Sequence, residues 1–192
     1  MLFELIASGA SSPLSVSERD VAALAACERG TILLDVSVRA DVTLMELTGS
    51  NGRITLSLRG GRLYGEQVLG SDGSPEIGTE EQDGVERRLL DAEDALGLDD
   101  GRPHTIALTV NETGTHLYAD GYECFSTTLA AFLAQIGLTE VRIDPDGIAA
   151  VTRLAAWDEP LSDRAVMAQS LAATPLVQFA ASELSARDAR RA

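Results

Sequence analysis

The stretch GRPHTIALTVNETGTHLYAD, residues 101–120, decides the fold. Ile106, Leu108 and Val110 alternate with Thr105, Ala107 and Thr109, the period of two that marks a strand with one buried face. Asn111, Glu112, Thr113 and Gly114 interrupt the alternation, because glycine takes positive φ without steric cost and asparagine bonds to its own backbone. Thr115, Leu117 and Ala119 resume it, and Asp120-Gly121 makes a second turn. The stretch therefore predicts a β-hairpin.

The flanking sequence repeats the pattern. In residues 31–39, Ile32, Leu34, Val36 and Val38 face one way and Asp35, Ser37 and Arg39 the other. Residues 42–48 read as a strand, Gly49-Ser50-Asn51-Gly52 as a hairpin turn, and residues 53–59 as the return strand with Ile54, Leu56 and Leu58 on one face. Gly60-Gly61 turns the chain into a strand over 62–69. Residues 1–17 read as extended and loop-like. Val21, Leu24 and Ala25 predict a short helix within 17–28, capped by Ser17 and stopped at Gly30. Residues 71–84, rich in Asp, Glu and Gly, predict a solvated loop, with Glu80, Glu81 and Asp83 as a solvated charge run. A strand follows over 85–90, then a turn or short helix over 91–98. Beyond the hairpin come helix or loop at 129–136, a short strand at 140–143, the turn Asp144-Pro145-Asp146-Gly147 and a strand over 148–157. Ser162 caps a helix over 163–172, stopped before Pro175, and a last helical stretch covers 181–191. Short strands joined by glycine turns, with no room for helical crossovers, predict an all-β fold: an antiparallel two-sheet sandwich or jelly roll with short helices towards the termini. The expected organisation is one domain over 1–175 and a helical or flexible tail over 176–192, a linker to a further domain.

Composition limits the partners. The formal net charge of −15 repels nucleic acid and anionic lipid at long range. No apolar run approaches the roughly 20 residues that span a bilayer, so no membrane insertion is expected. The start has an acidic residue and no basic region, which makes a poor signal peptide and leaves localisation open, extracellular if the chain is cut from a secreted parent. All the basic residues are arginine. Cys27 and Cys124 are expected as buried free thiols.

Three segments carry a family resemblance: His104-Thr-Ile-Ala-Leu-Thr-Val110, Gly114-Thr-His-Leu-Tyr-Ala-Asp-Gly121, and Ile148-Ala-Ala-Val-Thr-Arg-Leu-Ala-Ala-Trp-Asp-Glu-Pro-Leu-Ser-Asp163. They resemble the second half of concanavalin A-like, laminin G-like jelly-roll domains. With the Leu24…Glu28-Arg-Gly-Thr-Ile-Leu-Leu-Asp-Val-Ser-Val-Arg39 opening, the chain is most similar to the N-terminal lectin-like domains of bacterial sialidases. The resemblance covers roughly residues 13–171, while 71–100 match little. It implies two packed antiparallel sheets, one of them concave, and a non-catalytic carbohydrate-binding module, with sialic acid as one ligand. Sialidase chemistry would need the "S-x-D-x-G-x-x-W" boxes of a separate propeller, which are absent here; such a propeller could belong to a longer parent. A retaining glycosidase would want an "E-x-D-x-x-E" strand, also absent. The chain is expected not to be an enzyme and to need no cofactor.

Strand parity puts Arg62, Tyr64 and Glu66 on one face, opposite Leu63, with Arg39 on the non-core face of the earlier strand. A glycan-binding sheet needs an aromatic to stack a sugar ring and charged groups for its hydroxyls; an arginine fork suits a carboxylate. These four are the candidate ligand-binding residues. A solvated face with surface ion pairs is the competing reading, and with it a jelly-roll interaction or spacer domain that contacts a neighbouring protein domain and has no sugar affinity. Asp144 and Asp146 are weak calcium candidates, since two carboxylates fall far short of the six to eight oxygens calcium takes and a plain turn suits them. His104 and His116 lack a partner at metal-ligand spacing and read as a strand-start residue and a face residue. No Ser–His–Asp arrangement is legible.

Overall fold

The computed structural model describes residues 1–7, 14–69, 86–92, 97–128 and 133–173. The expectations for the loop at 71–84 and the helical stretch at 181–191 lie outside these residues. So do residues 93–96, 129–132 and the whole proposed tail.

Two antiparallel sheets make the fold. Strands β1 (Phe3–Ile6), β2 (Gly30–Ser37), β7 (Pro103–Asn111), β8 (Gly114–Ala119), β9 (Tyr122–Thr127) and β11 (Ala150–Trp157) form a six-stranded sheet in the order β1-β11-β2-β7-β8-β9. Strands β3 (Val42–Gly49), β4 (Gly52–Arg59), β5 (Arg62–Leu69), β6 (Glu86–Ala92) and β10 (Leu138–Ile143) form a five-stranded sheet in the order β10-β3-β4-β5-β6. Among the described residues three short helices complete it: α1 (Glu18–Ala25), α2 (Leu133–Ile136) and α3 (Asp163–Ala173). Ser17 caps α1 by accepting from the Asp20 amide, and Ser162 accepts from Ala165 at the start of α3.

The hairpin residues lie at the centre of the larger sheet. Leu108 pairs with Ile32 on one side and Leu117 on the other. Ile32, Leu34, Val36, Ile106, Leu108 and Val110 meet Leu47, Ile54, Leu56 and Leu58 of the facing sheet in one core. Each such buried aliphatic side chain contributes about 1.5–3 kcal/mol relative to exposure. Leu24 of α1 and Leu133 and Ile136 of α2 belong to the same core.

The structure corrects several expectations. Strands β2 and β7 are not half-exposed: Thr31, Leu33, Asp35, Thr105, Ala107 and Thr109 are buried as well. The cause is a second apolar layer outside the sheet, in which Val166 of α3 packs with Leu33, Ala107, Tyr118, Ala155 and Trp157. Polar groups under it are paired, as burial requires. Thr31 and Thr109 share a hydroxyl hydrogen bond of 3.0 Å, and the Thr105 hydroxyl donates to Asp35 at 2.7 Å. Asp35 also faces Arg153 at 3.6 Å, and Arg153 bonds Glu4 at 2.6 Å and Gln169 of α3 at 2.6 Å. Burial pushes the Asp35 carboxyl up, against the downward pull of Thr105 and Arg153. The start of the chain, expected as extended and loop-like, pairs into the sheet as β1, because Phe3 and Leu5 pack against the core. Strand β9 escaped the sequence reading, its burial being partial along its length. Residues 91–92 finish β6 rather than opening a turn. Both cysteines are free thiols, Cys27 buried and Cys124 half-buried.

Candidate functional site

The two sheets present different outer faces. That of the six-stranded sheet carries α3, which approaches so closely that a Cβ on Gly121 would stand 2.7 Å from the Met167 backbone. The outer face of the five-stranded sheet carries polar side chains instead. Since Ile54, Leu56 and Leu58 point into the core, Arg53, Thr55, Ser57 and Arg59 of β4 point out. Register then sets Thr55 opposite Glu66, Ser57 opposite Tyr64 and Arg59 opposite Arg62. The sequence-derived trio Arg62, Tyr64 and Glu66 thus shares this face, each residue half-buried.

Two arginines from β4 join the trio. Arg53 Nη2 lies 3.5 Å from Glu66 Oε2, and the Arg59 guanidinium carbon lies 5.9 Å from the centre of the Tyr64 ring. The second contact is a cation–π pair, worth about 0.5–1 kcal/mol at an exposed site. Arg53 Nε is buried with no hydrogen-bond partner among the described residues, at a cost of about 1–3 kcal/mol. Arg62 makes no ion pair with the described residues. Arg53 and Arg59 were legible in principle: the core positions of residues 53–59 fix their parity, and the Gly60-Gly61 turn fixes their partners.

Arg39 does not sit where strand parity put it. Strand β2 ends at Ser37, and Arg39 lies exposed in the following loop, its guanidinium over Gly101. Moreover β2 belongs to the six-stranded sheet, so Arg39 shares no sheet face with the trio.

The other candidates serve turns. Asp144 Oδ1 accepts from the amides of Ile148 and Ala149, each at 3.0 Å, and Asp146 accepts from the Thr43 amide at 3.2 Å. Among the described residues no three His, Cys, Asp or Glu side chains are grouped to hold a metal ion. His104 bridges Asp120 at 2.8 Å and Asp100 at 3.1 Å. The Asp120 hydrogen bond and then that of Asp100 hold its imidazole above the ordinary value against the effect of burial. Backbone and His104 hydrogen bonds draw Asp100 down, and His104 and the Thr105 amide draw Asp120 down despite burial. His116 lies between Glu123 at 3.0 Å and the Thr113 hydroxyl at 3.0 Å, the spacing of a hydroxyl–imidazole–carboxylate relay. The Thr113 hydroxyl, however, donates to Asn111 at 2.6 Å, so its proton is already held within the hairpin turn. Two open hollows, of about 500 and 480 Å³, lie beside the end of α1 and share Arg29, which is bonded to Glu112 at 2.6 Å. Neither touches the polar sheet face. Burial pushes up the Cys27 thiol in the first of them, with Asp158 adding to the effect.

No family model matches the sequence, and no curated protein matches it. Solved structures share the fold. The CBM40 module of the Ruminococcus gnavus IT-sialidase superposes with a TM-score of 0.63 at 18% identity, over 88% of this chain and 99% of that one. The same module bound to α2,3-sialyllactose gives 0.60 at 17% identity, over 88% and 98%. The binding domain of botulinum neurotoxin serotype C1 gives 0.52 at 11% identity, over 80% of this chain but 38% of that one. At these identities the likeness establishes the fold, a lectin-like β-sandwich, and nothing finer.

Proposed function

We propose that this chain is a non-catalytic carbohydrate-binding module of the concanavalin A-like, laminin G-like type. It takes an acidic glycan, a sialylated one in particular, on the outer face of β4 and β5. The observation that carries this reading is the polar face, on which no helix of the described residues packs, where Arg53, Arg59, Arg62 and Glu66 lie around Tyr64. Arginine supplies the planar fork that a carboxylate accepts in parallel, charge-assisted hydrogen bonds. Glu66 and the hydroxyl of Thr55 suit sugar hydroxyls, and the ring face of Tyr64 not shared with Arg59 suits a pyranose. The solved modules of the same fold support the reading, since one is bound to sialyllactose. In this reading residues 1–175 form the module and 176–192 connect it to a partner domain, such as the catalytic domain of a sialidase-type parent. Glycans, not nucleic acid or the bilayer interior, are its partners.

A shallow wet face buries little apolar area, so affinity is near the millimolar range, about −4 kcal/mol. The net charge of −15 opposes an anionic ligand at long range, and the arginines must dominate locally. The test is NMR titration of the wild type and Arg62→Ala with sialyllactose and lactose. Larger shifts with sialyllactose, lost in Arg62→Ala, are expected. No shift with either sugar at millimolar concentration would overturn the module reading and leave a spacer or interaction domain.

A further inference from the structure

One end of the sandwich gathers three arginines that have no ion-pair partner among the described residues. The Asp41 carboxylate accepts from the Gly60 amide at 2.7 Å, which ties the β2–β3 loop to the β4–β5 turn. Arg39 stands two residues before Asp41 and Arg62 two after Gly60, so at most two chain steps of about 3.8 Å separate each from that bond. Two more bonds fasten the loop before β7 into the same end: Gly101 N–H to Val38 at 2.8 Å and Leu98 N–H to Gly61 at 3.2 Å. A Cβ on Gly101, whose φ is +80°, would stand 2.6 Å from Arg39 Nε. The guanidinium thus lies against a bare glycine and holds its place by packing on backbone.

Charge makes this end unusual. Arg29, Arg53, Arg102, Arg142 and Arg153 each face a carboxylate within ion-pair range. Arg39, Arg59 and Arg62 face none among the described residues, which is also true of Arg19 on α1 and Arg164 on α3, but these three come together at one end, in a chain whose acidic residues outnumber its basic ones by 30 to 15. Arg59 and Arg62 are also direct cross-strand neighbours, a placement that costs free energy for like charges. Nearby carboxylates are engaged elsewhere: Asp41 on Gly60, and Asp100 on His104 and Arg102. Asp99 lies beside Gly61, which limits how far an anion can settle towards that turn, and Asp91 of β6 stands opposite Tyr64 in register.

We infer that Arg39 forms a second acidic subsite beside Arg59 and Arg62, so that the ligand class is an oligosaccharide bearing two carboxylates rather than one. The inference rests on the glycan reading of the adjoining face and extends it over the end of the sandwich. The first acidic sugar lies on the Tyr64 face, and the next turns over Gly60-Gly61 to bring its carboxylate to Arg39.

The test compares sialyllactose with α2,8-linked disialyllactose, titrated into the full chain, Arg39→Ala and Arg39→Lys. The wild type is expected to bind the diacidic glycan roughly threefold or more tightly, the gain of one exposed charge pair. Arg39→Ala should bring the ratio of the two affinities to about one, and Arg39→Lys should restore part of it. Added salt should shrink the wild-type ratio. Equal affinities for the two glycans in the wild type, or a ratio untouched in Arg39→Ala, would overturn the second subsite while leaving the face reading intact. Binding of neither glycan would overturn both, and identical amide spectra of the variants away from Arg39 would establish that they are folded.

Discussion

The outer faces of the two sheets have the same backbone geometry and opposite fates. On the six-stranded sheet, Leu33, Ala107, Tyr118, Ala155 and Trp157 are covered by Val166 of α3, and even the threonines between strands are buried. On the five-stranded sheet, arginine, glutamate and tyrosine occupy the equivalent positions and stay half-exposed. A sheet face needs a lid when its outward residues are apolar; when they are polar it is free to meet a ligand. Among the described residues, the outer face of one sheet is packed and that of the other is polar.

The sharpest way to break that contrast is Trp157→Ala. Removing this buried ring should cost about 3–5 kcal/mol in urea unfolding. A loss below about 1 kcal/mol would mean that α3 is no structural lid. Next comes Tyr118→Phe, which deletes the hydroxyl that donates to Asp163 at 2.8 Å. Here the expected loss is about 1 kcal/mol, and an unchanged midpoint would detach α3 from this bond. On the other face Arg62→Ala should change stability by less than about 0.5 kcal/mol, while it weakens binding of a sialylated glycan. A large stability loss there would make Arg62 a structural residue and erase the distinction.

The smallest effect concerns pH. His104 is raised in the folded chain by Asp120 and Asp100, so its contribution is complete below the ordinary imidazole value of about 6.5 and is lost as pH rises through the higher folded value. Asp100 and Asp120 are lowered, so their contribution holds above the ordinary carboxylate range and is lost as pH falls through the lower folded values. His104→Gln should therefore flatten the decline in melting temperature between about pH 6 and 9. An equally steep decline in the variant would assign the slope to other groups.

Period-two alternation with glycine turns was enough to place β2 to β5 and the central hairpin, because β2, β4 and β7 face the core with unbroken sets of aliphatic side chains; β5 turns Gly65 and Gln67 inward beside Leu63 and was placed by its turn. Alternation could not reveal that β2 and β7 have a second covered face. Thr31, Asp35, Thr105 and Thr109 look like solvent residues in sequence and are buried only because a helix more than 50 residues further along closes over them. Arg62, Tyr64 and Glu66 followed from parity alone. Arg39 did not, since parity says nothing about where a strand stops; β2 ends two residues earlier and the side chain passes to the loop. The second layer of the site, Arg53 and Arg59, depends on cross-strand register, which the turn at Gly60-Gly61 sets.

The four outermost strands carry a further consequence. Strand β9 runs alongside β6, so one margin of each sheet lies against the other. At the opposite margin β1 is only four residues long, and β10 is broken by an irregularity between Leu138 and Glu140 and covered by α1. Such margins offer a poor template for a neighbouring molecule's strand, because too few unpaired amides stand in line to start a ladder. The sandwich is therefore built to remain dispersed at high local concentration.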